Sequence, residues 1–136
     1  MFFSTKAHYA VVLLAALAKE NHPVSLRVIA SSSGLPFEYC EKIAQELKKH
    51  GIIASCRGAR GGYYLHRNSS TLSLADIVKI VERVKPSVRN CTKRKECDCS
   101  KTQCFKKDMW KSVEKRVWDA LGKVTLKEVS LRKKKV

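Results

Sequence analysis

Four of the six cysteines in this sequence lie close together in a stretch that is rich in lysine and arginine. They are Cys91, Cys97, Cys99 and Cys104. Neighbouring cations favour the thiolate form of cysteine, which is the form that binds soft metals and reacts with oxidants. Thiolates this close together can hold an iron–sulfur cluster or a tetrahedral zinc ion, or can act as a thiol switch. We therefore expect the chemistry of the chain in this stretch.

The spacing of these cysteines bears on which metal they hold. Structural zinc sites prefer paired cysteines that are about two to four residues apart. Here five residues separate Cys91 from Cys97, and one residue separates Cys97 from Cys99. This spacing fits a structural zinc site poorly. We expect an iron–sulfur cluster, and zinc, a thiol switch without metal or inert cysteines stay open as alternatives.

The overall charge predicts a polyanionic partner. The chain has 136 residues, and 28 lysines and arginines against 12 acidic residues give a formal net charge of +16. Such an excess of cations repels itself in the compact state unless a polyanion neutralises it. DNA or RNA is the first candidate, and an anionic membrane surface is the second. The length allows one globular domain with an appendage.

The longest early apolar run is too short to cross a bilayer. It extends from Tyr9 to Ala18 and has ten residues, whereas a spanning helix needs about 20. The start of the chain lacks the basic leader of a signal peptide. We therefore expect a cytoplasmic protein without a membrane partner, in which reduced thiols bind metal or sense redox state rather than form structural disulfides.

The elements that must position this chemistry begin with a predicted helix-turn-helix. A first helix is expected from its cap Ser4 to Ala18, by its apolar spacing. A short second helix, capped by Ser25, leads through a Ser-Ser-Gly turn into a third helix. The third helix is expected to have Pro36 at its first position and to run to Gly51.

The third helix has the two faces that a DNA-reading helix needs. Its apolar stripe is expected to be buried and consists of Cys40, Ile43, Ala44 and Leu47. The opposite face carries polar side chains able to reach base edges and phosphates, namely Glu38, Tyr39, Glu41, Lys42, Gln45 and Lys48. An ordinary solvated face has the same appearance, so this pattern alone does not decide between the two.

A β-wing is predicted directly after the third helix. Residues 52–66 contain two short β-forming segments around a glycine-rich turn. Arg57 and Arg60 lie at the tip between glycines, whose lack of a Cβ lets the backbone approach another surface closely. We expect both arginines to enter a narrow minor groove of DNA. The alternative is an ordinary hairpin with solubilising arginines.

Helices are also predicted on both sides of the cysteines. A fourth helix is capped by Ser73 and is expected to end near Lys85-Pro86. A long helix that Gly122 ends has apolar residues at every fourth position, with two tryptophans beside them: Phe105, Met109, Val113, Val117 and Leu121. This surface exceeds the needs of a small domain. A homodimer is expected to bury it and to match palindromic DNA half-sites, with packing on the same subunit as the alternative.

The predicted fold class is mainly α with a small β-wing. A winged helix-turn-helix DNA-binding domain is expected over residues 1–85, and a cysteine-rich loop over 86–104. Residues 105–131 are expected to form the dimerisation helix and a short last helix, Leu126 to Leu131, with a capping box from Thr125 and Glu128. Residues 132–136 are expected to form a basic tail.

Several segments resemble one known family. They are Ser4-Thr5-Lys6, Tyr9-Ala10, residues 24–43, residues 57–65 and the cysteine stretch. Together they resemble the winged-helix iron–sulfur transcriptional regulators of the IscR and NsrR type, over residues 1 to about 131. The resemblance implies a dimeric bacterial transcription factor with its third helix in the major groove and its wing tip in the minor groove, and we expect this regulator to be a repressor. The positions that match the family's DNA readers are Glu38, Tyr39, Glu41, Lys42 and Arg57.

The resemblance also implies a 2Fe-2S or 4Fe-4S cluster held by Cys91, Cys97 and Cys104. This sequence departs from the family pattern at the fourth ligand. Members with a 2Fe-2S cluster typically have a histidine shortly after the third cysteine, but Lys107 stands there, and a protonated lysine cannot ligate. Asp108 is adjacent, Cys99 lies inside the cysteine stretch, and His8 matches the position from which some nitric-oxide sensors of the family supply a ligand from the partner subunit. We expect Cys99 or His8 to be the fourth ligand.

The sequence does not favour an enzyme. It contains no clustered carboxylates, no Cys/His pair within one loop and no nucleotide-binding glycine turn. A redox protein or cluster carrier without DNA activity is the remaining alternative to a regulator.

Overall fold

The fold is known from a computed structural model, which describes residues 3–83 and 105–132. The elements are α1 (Thr5–Ala18), α2 (Leu26–Ser33), α3 (Phe37–Lys49), β1 (Ile53–Cys56), β2 (Gly62–Leu65), α4 (Leu74–Glu82), α5 (Phe105–Lys123) and α6 (Leu126–Leu131). This is the predicted mainly α fold with a small antiparallel sheet. None of the described helices is both long and apolar enough to cross a membrane.

Helix α1 lies at the centre of the fold. It starts as predicted at Ser4, whose extended backbone and side-chain oxygen cap the helix by accepting a hydrogen bond from Ala7 N at 3.2 Å. Its buried face consists of Ala7, Ala10, Leu13, Leu14 and Leu17. Because α2, α3, α4, α6 and β2 all pack on this helix, its sides are largely covered as well.

The helix-turn-helix differs from the prediction in two small ways. Helix α2 continues to Ser33, so that Gly34 alone makes the turn, with a left-handed φ of 68° that glycine adopts without a steric penalty. Helix α3 begins at Phe37 rather than at Pro36, because Pro36 has an extended backbone and is the N-cap. The third helix then ends at Lys49, shortly before the predicted Gly51.

The wing is a hairpin anchored to the chain before α2. Strands β1 and β2 pair in antiparallel register, with Ile53 opposite Leu65 and Cys56 opposite Gly62. Next to them, Val24 and Tyr63 exchange two backbone hydrogen bonds of 2.9 and 2.8 Å. A Cβ on Gly62 would lie 2.4 Å from the Val24 backbone. Only glycine therefore permits this close approach, which ties the wing to the helix-turn-helix.

Helix α4 begins with a reciprocal capping box. Ser73 and Asp76 form a reciprocal capping box, each side chain accepting a hydrogen bond from the other's backbone N–H at 3.2 Å. The prediction of an end near Lys85-Pro86 is wrong, since α4 ends at Glu82. Arg83 follows as a C-cap in the left-handed conformation, with a φ of 48°.

The last two helices return the chain to the core. The prediction that Gly122 ends the long helix is wrong, because α5 continues to Lys123. Thr125 caps α6 by accepting a hydrogen bond from Glu128 N at 3.3 Å, while the Glu128 carboxylate pairs with Arg132 at 3.6 Å. Only half of the predicted capping box is thus seen among the described contacts.

One continuous core connects α1 to the helices around it. Leu126 of α6 is fully buried in it, and its N–H donates to Leu72 O at 2.8 Å. The largest side chains that are completely buried are Leu13, Leu14, Leu17, Ile43, Leu47, Ile52, Ile53, Leu72, Ile77 and Leu126. Because Ile43 and Leu47 belong to α3, the predicted DNA-reading helix is held by this core.

Candidate nucleic-acid interface

The two predicted faces of α3 are confirmed as a buried and an exposed face. Cys40, Ile43, Ala44 and Leu47 are each at most 1% exposed. The opposite side is exposed at every predicted position, namely Glu38, Tyr39, Glu41, Lys42, Gln45 and Lys48. The helix therefore presents a row of polar side chains from a fixed apolar base. Contact between these side chains and DNA stays a prediction.

Aromatic contacts hold the N-terminal end of α3. The rings of Tyr9 and Tyr39 meet edge to face, with centroids 5.4 Å apart and an interplanar angle of 88°. The guanidinium of Arg27 lies 4.4 Å from the ring centroid of Phe37. Such contacts stabilise packing by roughly 0.5–1.5 kcal/mol each. Tyr39, a predicted DNA reader that is 37% exposed, therefore also packs α3 against α1.

A hydrogen bond links α3 to the wing. Lys48 Nζ donates to Ser55 Oγ of β1 at 2.7 Å. This contact places the base of the wing beside the exposed face of the helix. Two elements that the sequence predicts to enter adjacent grooves of DNA are thereby held at one relative position.

The tip of the wing exposes two arginines. Arg57 and Arg60 are both exposed, and neither pairs with a carboxylate among the described residues. The turn between them closes through a hydrogen bond from Gly61 N to Gly58 O at 2.9 Å. A Cβ on Gly61 would lie 2.4 Å from Cys56 O, so the turn requires glycine there. The predicted exposure of both arginines is confirmed.

The other flank of α3 borders a basic groove that also involves α1 and α4. The groove has a volume of about 810 Å³, and its charged lining consists of Lys6, Lys42, Glu46, Lys49, Lys79 and Arg83, with His50 beside them. Lys42 and Lys49 have no ion-pair partner among the described residues. The sequence predicted Tyr39, Lys42 and Gln45 of this lining as DNA readers. It did not predict the contributions of Lys6, Lys79 and Arg83, because no local spacing brings α1 and α4 to this side of α3.

Glu46 is the single acidic residue in the lining of this groove. Its carboxylate accepts from Lys6 Nζ at 2.5 Å and pairs with Arg83 Nε at 3.0 Å. The hydrogen bond from Lys6, supported by the one from Arg83, lowers the pKa of the Glu46 carboxyl, although partial burial opposes that shift. The two cations thus keep Glu46 ionised.

The predicted metal ligands lie almost entirely outside the described residues. Cys91, Cys97, Cys99 and Cys104 fall in the undescribed range 84–104. His8 is exposed on α1, with its ring centroid 5.9 Å from that of Tyr9. Residues 3–83 and 105–132 by themselves contain no cluster of three or more histidine, cysteine or acidic side chains that could hold a metal ion.

The two described cysteines are unlike the four in the basic stretch. Cys40 is completely buried on α3, and this burial raises the pKa of its thiol, which disfavours the thiolate that a metal needs. Cys56 is exposed on β1. The two cysteines lie on different elements, one on α3 and the other on β1 of the wing. His50 and His66 are exposed.

Helix α5 carries an apolar surface that the described residues leave uncovered. Met109, Trp110, Val113 and Val117 are between 41% and 61% exposed. On another side of the helix, Trp118 is half-buried, with Lys79 Nζ of α4 5.2 Å from its ring centroid. The helix therefore packs on α4 along one side and retains an exposed apolar side.

Comparison with known proteins agrees with this arrangement. The family model Rrf2, described as iron-dependent transcriptional regulators, matches residues 3–131. The HTH-type transcriptional regulator IscR of Pectobacterium atrosepticum is 30% identical over 131 residues, which cover 95% of this chain and 79% of that protein. The structure of T. potens IscR superposes with a TM-score of 0.77 at 31% identity, covering 95% of this chain and 85% of that one.

A second solved structure widens the comparison. The oxidised form of Staphylococcus aureus CymR has a TM-score of 0.76 and 28% identity, and the match covers 99% of this chain and all of that one. The resemblance to both structures extends over the wing, the helix-turn-helix and the C-terminal helices.

Proposed function

This chain belongs to the Rrf2 family and is a DNA-binding transcriptional regulator of the winged-helix type, and from that premise we propose that it is a cytoplasmic homodimeric repressor controlled by an iron–sulfur cluster. Its relatives are transcriptional regulators, which fits a protein without enzymatic activity. The observation that carries the proposal is the combination of an exposed polar face on α3 with an arginine-tipped wing linked to that helix.

In the proposed complex, α3 enters the major groove of an operator. The amide of Gln45 is suited to adenine, Lys42 to guanine, and the carboxylates of Glu38 and Glu41 to the amino group of cytosine. Lys48 bonds to the wing and therefore positions rather than reads. The buried base of α3 keeps these side chains in register, which base reading requires.

The wing tip is proposed to enter the adjacent minor groove. Arg57 and Arg60 have no competing carboxylate among the described residues, so binding of DNA breaks no ion pair of theirs. A narrow minor groove has an enhanced negative potential that attracts arginine. The net charge of +16 adds attraction to phosphates that is independent of sequence.

A homodimer is proposed to form through the exposed apolar side of α5. Met109, Trp110, Val113 and Val117 provide aromatic and branched side chains of the kind that form interface centres. A two-fold axis pairs this surface with its own copy and places two α3 helices on a palindromic operator.

Cys91, Cys97 and Cys104 are proposed to hold the iron–sulfur cluster, with Cys99 or His8 as the fourth ligand. The donor set fits the group, because thiolates are the usual ligands of such clusters and the neighbouring cations favour thiolates. His8 is exposed and therefore accessible to a shared ligand shell. When bound, the cluster would serve as the sensor, because iron supply, oxidants and nitric oxide decide whether it is present.

Two measurements test the proposal. Anaerobic purification followed by iron and sulfide assays and visible absorption is expected to show a coloured protein with equivalent iron and sulfide. A colourless protein that contains zinc, or that stays without metal after anaerobic reconstitution, contradicts the proposed cluster.

Selection of duplexes from a random pool, followed by mobility shifts, is expected to return a palindrome bound by a dimer. Equal affinity for all duplexes contradicts the proposed role as a regulator of a specific operator.

A further inference from the structure

The ion pairs among the described residues fall into two groups. Glu128 and Arg132 are neighbours in the sequence, as are Glu20 and His22, which form an ion pair only when the imidazole is protonated. The other two pairs join helices that are far apart along the chain, and both converge on the carboxylate of Glu46 on α3. Within the described part of the chain, this side chain is thus a meeting point for long-range charge contacts.

Each oxygen of Glu46 engages a different helix. Oε2 accepts from Lys6 Nζ of α1 at 2.5 Å, and Oε1 accepts from Arg83 Nε after α4 at 3.0 Å. Lys6 Nζ also donates to Val81 O at 3.3 Å. The Glu46 side chain is only 12% exposed. Because its carboxylate has lost most of its water, removal of either cation leaves a charge that solvent compensates poorly.

The helices that Glu46 contacts are themselves joined at the same place. Ser4, the N-cap of α1, donates to Glu82 Oε1 through its backbone N–H at 3.0 Å and also through its hydroxyl. Arg83 has a φ of 48°, a left-handed backbone conformation that is unfavourable for residues with a Cβ. Such backbone strain persists where surrounding contacts hold it, and it often marks functional positions. Here the Arg83 side chain reaches α3.

We propose that Glu46 is a positioning residue for DNA recognition and does not itself contact DNA. It adjoins Gln45 on α3 and lies one turn after Lys42, so its two ion pairs set the rotation of α3 against α1 and α4 and the direction of those DNA-reading side chains. The inference rests on the proposed function.

A merely electrostatic role makes a different prediction. Removal of the negative charge of Glu46 then strengthens binding to every duplex, and removal of the positive charge of Arg83 weakens it. Neither change alters the preference for an operator, since phosphates are the same in all sequences. If the ion pairs position α3, both changes lower the ratio of operator affinity to unrelated-duplex affinity, despite their opposite charges.

The test compares Glu46→Gln and Arg83→Gln in the full chain with Glu128→Gln, which removes the carboxylate of a local ion pair on α6. Fluorescence anisotropy measures each protein on the selected operator and on a scrambled duplex of equal length at one salt concentration. Glu46→Gln and Arg83→Gln are expected to lower the affinity ratio about tenfold, or ~1.4 kcal/mol. Glu128→Gln is expected to leave it unchanged, and Arg83→Lys to recover part of it.

Circular dichroism and the unfolding midpoint show whether each variant folds. Arg83 keeps the test decisive if Glu46→Gln does not fold, because the Arg83 side chain is 81% exposed and its replacement leaves no cavity. If the wild type prefers the operator and the folded variants keep the same affinity ratio, the positioning role of Glu46 is wrong, while the proposed function is unaffected. A wild type without preference for any duplex overturns the proposed function and this inference with it.

Discussion

Helices α3 and α5 both have periodic apolar residues, yet the two apolar stripes differ in how far they are exposed to solvent. On α3 the stripe is at most 1% exposed, because α1, α2 and α4 cover it. On α5, Met109, Trp110, Val113 and Val117 stay 41–61% exposed. The comparison teaches that apolar periodicity predicts that a face will be buried, but not by which partner. The subunit itself positions α3, whereas the described residues leave one apolar side of α5 exposed.

The largest effect is expected where the core holds α3. Leu47→Ala removes a completely buried side chain and leaves a cavity, so it should lower the free energy of unfolding by about 2–5 kcal/mol. Urea unfolding measures the loss, with Lys49→Ala on the exposed side of the same helix as the control, expected within about 0.5 kcal/mol of wild type. A loss below about 1 kcal/mol for Leu47→Ala contradicts the view that this core positions α3.

The next effect concerns the uncovered side of α5. The double change Val113→Glu and Val117→Glu puts unpaired charges at the centre of the proposed interface and should weaken dimerisation at least about a hundredfold, or ~2.7 kcal/mol. Analytical ultracentrifugation measures the dissociation constant. Lys115→Ala, on the opposite side of α5, serves as the control. A stable dimer that tolerates both glutamates places the interface elsewhere, while a monomer with unchanged helix content sharpens the contrast with α3.

A smaller effect is expected at the wing. Arg57→Ala should weaken operator binding by about 1–3 kcal/mol and reduce the salt dependence by the contribution of about one phosphate. Titrations at several salt concentrations separate these two effects. Arg67→Ala is the matched control, because Arg67 follows β2 at the end away from the wing tip. Unchanged affinity in Arg57→Ala removes this arginine from the set of DNA contacts.

The smallest effect is a dependence of stability on pH. Hydrogen bonds from Lys6 and then Arg83 lower the pKa of Glu46 in the folded chain. Its ionised form therefore contributes stability that is fully present above the unfolded-state pKa and is lost as pH falls through the lower folded-state pKa. Urea unfolding of wild type and Glu46→Gln should differ most near neutral pH and converge in acid. A difference that stays constant with pH contradicts the contribution of the ionised carboxylate.

Local signals predicted most elements because their causes are local. Ser4, Ser73 and Thr125 cap the helices they were expected to cap, since a cap needs only a side-chain oxygen and the next turn of backbone. The predicted helix ends near Lys85-Pro86 and at Gly122 were wrong, since α4 ends at Glu82 and α5 at Lys123. At the first, Arg83 adopts a left-handed conformation that residue type disfavours, and at the second, glycine is tolerated inside α5.

The candidate interface divides in the same way. The exposed row on α3 and the arginines of the wing follow from periodicity and from glycine-rich turns, so the sequence predicted their placement. The groove on the other flank was missed, because Glu46 lies 40 residues from Lys6 and 37 from Arg83. No periodicity relates positions that distant.

Residue type and near-neighbour spacing encode the winged helix-turn-helix, the basic charge, the buried stripe of α3 and the clustering of four cysteines, so all of these follow from the amino-acid sequence. Tertiary packing brings Gly62 so close to Val24 that it must lack a side chain, leaves the apolar side of α5 uncovered by the described residues, and joins three helices through Glu46. These features depend on which distant surfaces meet when the core packs, and packing is a property of the whole fold rather than of any one segment.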